Sequence, residues 1–129
     1  MNITGLQEPI TATKSDLRDS SFVDVSLGGT RFEDVGLTSA RFDYVNMSDA
    51  GFTRMNLSRA VFDNGLLPGA RFTNVNMSGT CFRDVNLVGS AIQNANLAGV
   101  HISNCNITGL RIDGVLVSDL LVAHRKTAE

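Results

Sequence analysis

The chain has no tryptophan, one tyrosine, two prolines, two cysteines and two histidines in 129 residues. Two cysteines, Cys81 and Cys105, do not make the multi-bridge framework that staples small secreted domains. The setting expected from them is a reducing cytoplasm. No apolar run approaches the ~20 residues that cross a bilayer. Met1 to Lys14 lacks the basic start and apolar stretch of a signal peptide. Charge of one sign is also missing, because 11 Lys and Arg face 13 Asp and Glu for a net charge of −2. A nucleic-acid binder would carry a basic field, and a protein decoy for DNA would be far more acidic. The expectation is therefore no direct contact with nucleic acid and none with membrane.

What the chain does have is a period. Every fifth residue from Phe22 onward is large and apolar: Phe22, Leu27, Phe32, Leu37, Phe42, Met47, Phe52, Leu57, Phe62, Leu67, Phe72, Met77, Phe82, Leu87, Ile92, Leu97, Ile102, Ile107, Ile112 and Val117. On an α-helix, residues five apart are rotated by ~140° and would spiral around the surface. On a strand they would alternate between faces. Only a chain that bends after each pentad keeps them on one interior. A fixed period across the chain is the signature of a solenoid, and these centres are its predicted core.

The other phases agree. Two residues before each centre the side chain is mostly small, which suits a second inward position in a narrow core. Two residues after each centre, from Asp24 to Asp119, the residue is Gly, Asn or Asp at every position except Ser39, Tyr44, Arg54 and Arg59. Gly, Asn and Asp tolerate positive φ and make tight turns. A period of ten lies over the period of five: Phe centres follow small partners, and Leu or Met centres mostly follow Val. Large plus small alternates with medium plus medium, which keeps the volume per side nearly constant. The Asn-x-Ser/Thr triplets at Asn46, Asn56, Asn76 and Asn106 share one phase and are by-products of the period.

Ser15-Asp16-Leu17-Arg18-Asp19, Val45-Asn46-Met47-Ser48-Asp49 and Ala95-Asn96-Leu97-Ala98-Gly99 resemble the A(D/N)LXX consensus of the pentapeptide-repeat proteins. The likeness runs over residues 15–119. It implies an all-β fold, a right-handed quadrilateral β-helix with four pentads per coil and about five coils. Stacked at strand spacing, these would make a rod roughly 25 Å long. The expected organisation is an N-terminal cap or flexible segment over 1–14 containing Ile3, Leu6 and Ile10, the β-helix over 15–117, and a C-terminal helix and tail over 118–129. Ser118 is the predicted N-cap of that helix. Val117, Leu120, Leu121 and His124 have helical spacing, and His124, Arg125 and Lys126 fall at its favourable end. The helix is expected to cover the last coil. In similar proteins this end often mediates a homodimer, and Leu116, Leu120 and Leu121 are the candidate cap or dimer residues.

With four sides, residues twenty apart stack, and the charge gathers over the Phe-centred sides. One outward column reads Arg31, Gly51, Arg71, Ala91, Arg111, and the opposite side holds Arg41, Asp43, Asp63, Arg83 and Asp84. These charged columns are the candidate interaction surface. Asp43 and Asp63 stack beside Arg41 and Arg83, where a shared ion network is expected. The Leu-centred sides carry Asn46, Asn86, Asn106 and Asn56, Asn76, Asn96, read as Asn ladders bonded from rung to rung. Pro68 beside outward Leu66 marks a local bulge or tighter turn, or else a kink or small apolar contact patch. His101 and Cys81 should be rung neighbours facing outward, too few ligands for a metal site. Cys105 reads as a core residue. No catalytic arrangement has a cleft to sit in, and the Gly residues do not form a phosphate-cradling loop. The expectation is no cofactor, no metal and no enzyme. Two functions follow: a noncatalytic scaffold or protein-interaction module of unknown partner, or a DNA mimic that binds a type II topoisomerase (gyrase), as the quinolone-resistance members of the family do.

Overall fold

The computed structural model describes residues 2–5 and 10–128. In chain order its elements are β1 (Asn2–Thr4), β2 (Thr11–Asp16), β3 (Ser21–Ser26), β4 (Arg31–Gly36), β5 (Arg41–Asn46), β6 (Gly51–Asn56), β7 (Val61–Asp63), β8 (Arg71–Asn76), β9 (Cys81–Arg83), β10 (Ala91–Gln93), β11 (His101–Ser103), β12 (Arg111–Ile112), β13 (Val115–Leu116) and α1 (Val117–Ala128). The odd strands from β1 to β11 form one 6-stranded parallel sheet. The even strands form the other, whose last rung β12 pairs antiparallel with β13. Phe22 pairs with Phe42 and Phe32 with Phe52, so each rung repeats after four pentads. Isolated bridges such as Asn46↔Leu66 and Asn76↔Asn96 join the Leu- and Met-centred sides. The result is a four-sided parallel β-solenoid. Its ladder begins ahead of residue 15, since β1 is the first rung of one sheet and β2 of the other.

Corners decide this shape. Next to each Leu or Met centre a four-residue turn closes, as where the Thr30 N–H donates to the Leu27 carbonyl at 2.9 Å. Its third residue, Gly29, has φ 74°. The four unusual turn residues adopt the same backbone: Ser39 at φ 60°, Tyr44 at 53°, Arg54 at 51° and Arg59 at 59°. A side chain there costs about 1–2 kcal/mol. Rung bonds hold the conformation, including Ser39 N–H to Ser58 O at 2.9 Å and Arg59 N–H to Ser78 O at 2.8 Å. Pro68 makes neither bulge nor kink. It is the second residue of the Leu67–Ala70 turn and is followed by Gly69 at φ 70°, the Pro-Gly order that a type II turn prefers. Its carbonyl still accepts the Asp49 N–H at 2.9 Å.

Inside, the phenylalanines build two ladders. Phe22, Phe42, Phe62 and Phe82 stack with ring centroids 4.8, 4.4 and 4.9 Å apart. Phe32, Phe52 and Phe72 stack at 5.4 and 4.6 Å. The ladders meet edge-to-face, for example Phe52 on Phe62 at 6.3 Å. Every predicted centre from Phe22 to Ile92 is buried. The small inward column includes hydroxyls that donate back to the coil beneath: Thr80 Oγ1 to Leu57 O at 2.8 Å and Ser90 Oγ to Leu67 O at 2.6 Å.

The C-terminal end departs from expectation. Leu97, Ile107, Ile112 and Val117 are only half-buried, and Ile102 is 38% exposed. Asp113 and Gly114, with φ 47° and 83°, turn the chain back, so that Arg111 pairs with Leu116 and Ile112 with Val115. This reversal takes Val115 out of the core, and Leu116 becomes half-buried in the hairpin. The helix opens at Val117, whose N–H donates to Leu110 O at 3.0 Å, so Ser118 lies in its first turn and is not its cap. Leu120 is 49% and Leu121 41% exposed. The helix therefore covers the last coil only in part: Val117 packs against the core, while Leu120, Leu121 and Ile102 stay exposed. Leu6 and the side chain of Lys126 lie outside the described residues.

Candidate interaction surface

Two opposite flat faces carry the charged columns, one on each sheet. On the face of β3, β5, β7, β9 and β11, the predicted network resolves into separate pairs. Arg41 Nη2 lies 3.9 Å from Asp43 Oδ2, and Arg83 Nη2 lies 3.1 Å from Asp63 Oδ2. Asn64 Nδ2 also donates to Asp43 Oδ1 at 3.4 Å. Each stacked carboxylate has its own arginine, while Asp24 and Asp84 on the same side are exposed and have no ion pair among the described residues.

On the other face Arg54 takes both nearby acids. Its Nε donates to Asp34 Oδ1 at 3.0 Å and its Nη2 meets Glu33. The bond to Asp34, then the charges of Asp34 and Glu33, hold the Arg54 guanidinium above its ordinary value. Arg111 donates from Nη1 to Gly114 O at 2.9 Å, which ties it to the hairpin and separates it from the other arginines of its column. Arg31 and Arg71 remain. Both are exposed, and neither side chain has an ion pair or hydrogen bond among the described residues.

Gly51 stands between them, paired to both neighbours in register. Its missing side chain opens a shallow trough of about 270 Å³ lined by Arg31, Glu33, Gly51, Thr53, Arg71 and Thr73. A second depression of about 490 Å³ opens at Gly36, between Asp16 and Asn56. The rod's sides are thus not uniformly flat. Sequence reasoning missed both troughs, though the signal was present: each is a glycine in an outward column.

The Asn columns are not ladders among the described residues. Each Asn Oδ1 accepts the backbone N–H two residues on. Asn46 takes Ser48 N–H at 3.1 Å, Asn56 Ser58 at 2.9 Å, Asn76 Ser78 at 3.0 Å, Asn86 Val88 at 2.9 Å, Asn96 Ala98 at 3.0 Å and Asn106 Thr108 at 3.1 Å. The turn residue after each Leu or Met centre has no strand partner for that N–H, and a short amide side chain reaches it without strain.

His101 and Cys81 are rung neighbours on β11 and β9. Among the described residues no three of His, Cys, Asp and Glu come together as metal ligands. Cys105 is half-buried and its Sγ lies 3.5 Å from Phe82 O. Burial, its largest cause, pushes the thiol's pKa up, which disfavours the reactive thiolate. Leu66 is 47% exposed on a Leu-centred side, where it bridges Asn46 and Asn86, and Tyr44 is 61% exposed at a corner. Rung bonds hold the Leu66 backbone: its N–H donates to Val45 O at 2.8 Å and its carbonyl accepts the Met47 N–H at 2.7 Å.

Comparison with known proteins places this architecture. Among solved structures, a pentapeptide-repeat protein of the Arabidopsis thaliana thylakoid lumen is 26% identical with a TM-score of 0.52, and the match covers 88% of this chain and 76% of that one. One from the cyanobacterium Cyanothece 51142 is 17% identical with a TM-score of 0.32, covering 87% of each chain. QnrB1, a plasmid-mediated fluoroquinolone resistance protein, is 12% identical with a TM-score of 0.24, covering 98% of this chain and 97% of its own. No curated protein sequence matches the chain. The family profile for pentapeptide repeats matches in 8 copies over residues 15–54, 56–90 and 80–119. With that profile spanning most of the solenoid, the chain belongs to the pentapeptide-repeat family.

Proposed function

We propose that this protein is a noncatalytic interaction module that binds a protein partner through the face formed by β4, β6 and β8. The observation that carries the reading is the Arg31–Gly51–Arg71 column: two exposed arginines without partners among the described residues, on a rod whose other ion pairs are locally closed. Unspent charge on a rigid flat surface gives orientation and specificity to a partner. The rigid backbone ladder beneath it means little ordering cost on binding. A catalytic role lacks support from the geometry, since both depressions are open and no hydrogen bond joins a hydroxyl to a carboxylate among their described lining residues.

The reading as a topoisomerase-binding DNA mimic is weaker. A mimic needs regularly spaced negative charge along the rod, whereas Asp43, Asp63, Glu33 and Asp34 are paired with Arg41, Arg83 and Arg54, which leaves Asp24 and Asp84 as scattered exposed acids on one face. The test of the interaction reading is affinity capture from the source cells, with wild type beside an Arg31→Glu/Arg71→Glu variant whose fold is checked by circular dichroism. The expected result is a protein retained by wild type and lost by the variant. Equal recovery of the same proteins by both would remove this face as the binding surface.

A further inference from the structure

We infer that the Arg31–Arg71 trough recognises an acidic polyproline-II segment, with two carboxylate side chains three residues apart, lying along the rod axis. The inference rests on the reading of this face as an interaction surface and names its ligand.

Three observations carry it. The first is charge. Arg31 and Arg71 are the unpaired cations of the trough, and the one acid lining it, Glu33, is bonded to Arg54. A ligand that offers carboxylates meets two guanidinium groups without first displacing an internal partner. Arginine forks bind carboxylates through paired N–H···O bonds.

The second is spacing. Arg31 pairs with Gly51 and Gly51 with Arg71, so the two arginines are two rungs apart, about 9.6 Å at parallel strand spacing. A polyproline-II helix rises about 3.1 Å per residue with three residues per turn, which returns side chains i and i+3 to one face about 9.3 Å apart. An extended strand presents same-face side chains about 6.8 Å apart. One helical turn offers about 5.4 Å. Among these shortest same-face repeats, the polyproline-II repeat is the one that matches two rungs; two helical turns overshoot at about 10.8 Å.

The third is shape. Gly51 removes a side chain at the midpoint, and a Cβ built there meets nothing within 4 Å. The dip accepts the intervening residues of a segment bridged between the arginines. Thr53 and Thr73 flank it with hydroxyls that suit the solvated carbonyls of such a backbone.

The experiment is fluorescence anisotropy of the full chain with labelled peptides. The Glu-Pro-Pro-Glu sequence is compared with Glu-Pro-Glu, Glu-Pro-Pro-Pro-Glu and the uncharged Gln-Pro-Pro-Gln. The first should bind, the two misspaced peptides several-fold more weakly, and the uncharged one about tenfold or more weakly, as expected for loss of charge-assisted bonds. Arg31→Glu/Arg71→Glu should abolish binding. Gly51→Val is a second variant, tolerated because space is open there. It should fill the dip and weaken binding about tenfold while leaving the melting temperature close to wild type.

Equal binding of all acidic spacings, or no effect of Gly51→Val, overturns the inference. If no peptide binds but the captured protein is still lost on Arg31/Arg71 reversal, the ligand class fails and the interaction surface stands. If that capture is also indifferent to the reversal, both fail.

Discussion

Phe72 shows how much a single residue contributes to this narrow core. It is fully buried, stacked on Phe52 at 4.6 Å and edge-on to Phe82 at 6.1 Å. Phe72→Ala would remove both ring contacts and leave a void between rigid rungs that cannot close. The expected loss is about 3–5 kcal/mol, read by thermal or denaturant unfolding; a near-neutral result would contradict the stacked arrangement. The hydroxyls of the small inward column allow a finer comparison. Ser90 donates to Leu67 O in the coil beneath, while the buried Ser20 Oγ finds no partner among the described residues. Ser90→Ala should therefore destabilise by about 1 kcal/mol, and Ser20→Ala should be neutral or stabilising by a similar amount. Unfolding midpoints of the two variants, measured side by side, check the contrast.

At the scale of elements, the strands and corners were legible in the sequence and the C-terminal end was not. The fivefold centres identify the buried columns because each coil places the same phase on the same interior. The turn phase was equally readable, and even Tyr44 and Arg54 obey it, since the surrounding rung bonds outweigh their local preference. The helix was legible because Val117, Leu120, Leu121 and His124 recur at helical spacing. What those residues touch is a long-range property that spacing does not encode. The Asp113-Gly114 pair was the overlooked clue, because Asp-Gly favours positive φ at both central positions of a hairpin. Similarly, Asn repeated at one phase suggested ladders, yet the nearest unmet donor was two residues along the same chain. The position of α1 has a measurable result. With Leu121 41% exposed, Leu121→Ser should shift stability by less than about 0.5 kcal/mol. A loss of several kcal/mol in thermal unfolding would show that this part of the helix covers the last coil after all.

For the whole molecule, regular backbone makes the faces chemically distinct surfaces held at fixed rung spacing. Closed ion pairs on one side and an open arginine pair on the other give an acidic protein a local cationic site. This distribution differs from the continuous negative surface of a nucleic acid. Purified protein is accordingly expected to leave gyrase supercoiling activity unchanged; inhibition in that assay at stoichiometric protein would revive the mimic.

The Phe ladders and the lone tyrosine have a spectroscopic consequence. All aromatic absorbance comes from seven Phe and one Tyr, with no Trp to mask them. The Phe rings are locked in the interior, while Tyr44 stands 61% exposed at a corner. The molecule thus carries two intrinsic reporters in separate places. Phenylalanine fine structure in near-ultraviolet dichroism follows the state of the stacked core, and tyrosine emission follows the exposed corner at Tyr44. A ligand that changes the second signal without the first would be docking at that corner, with the coil stack undisturbed and no label attached.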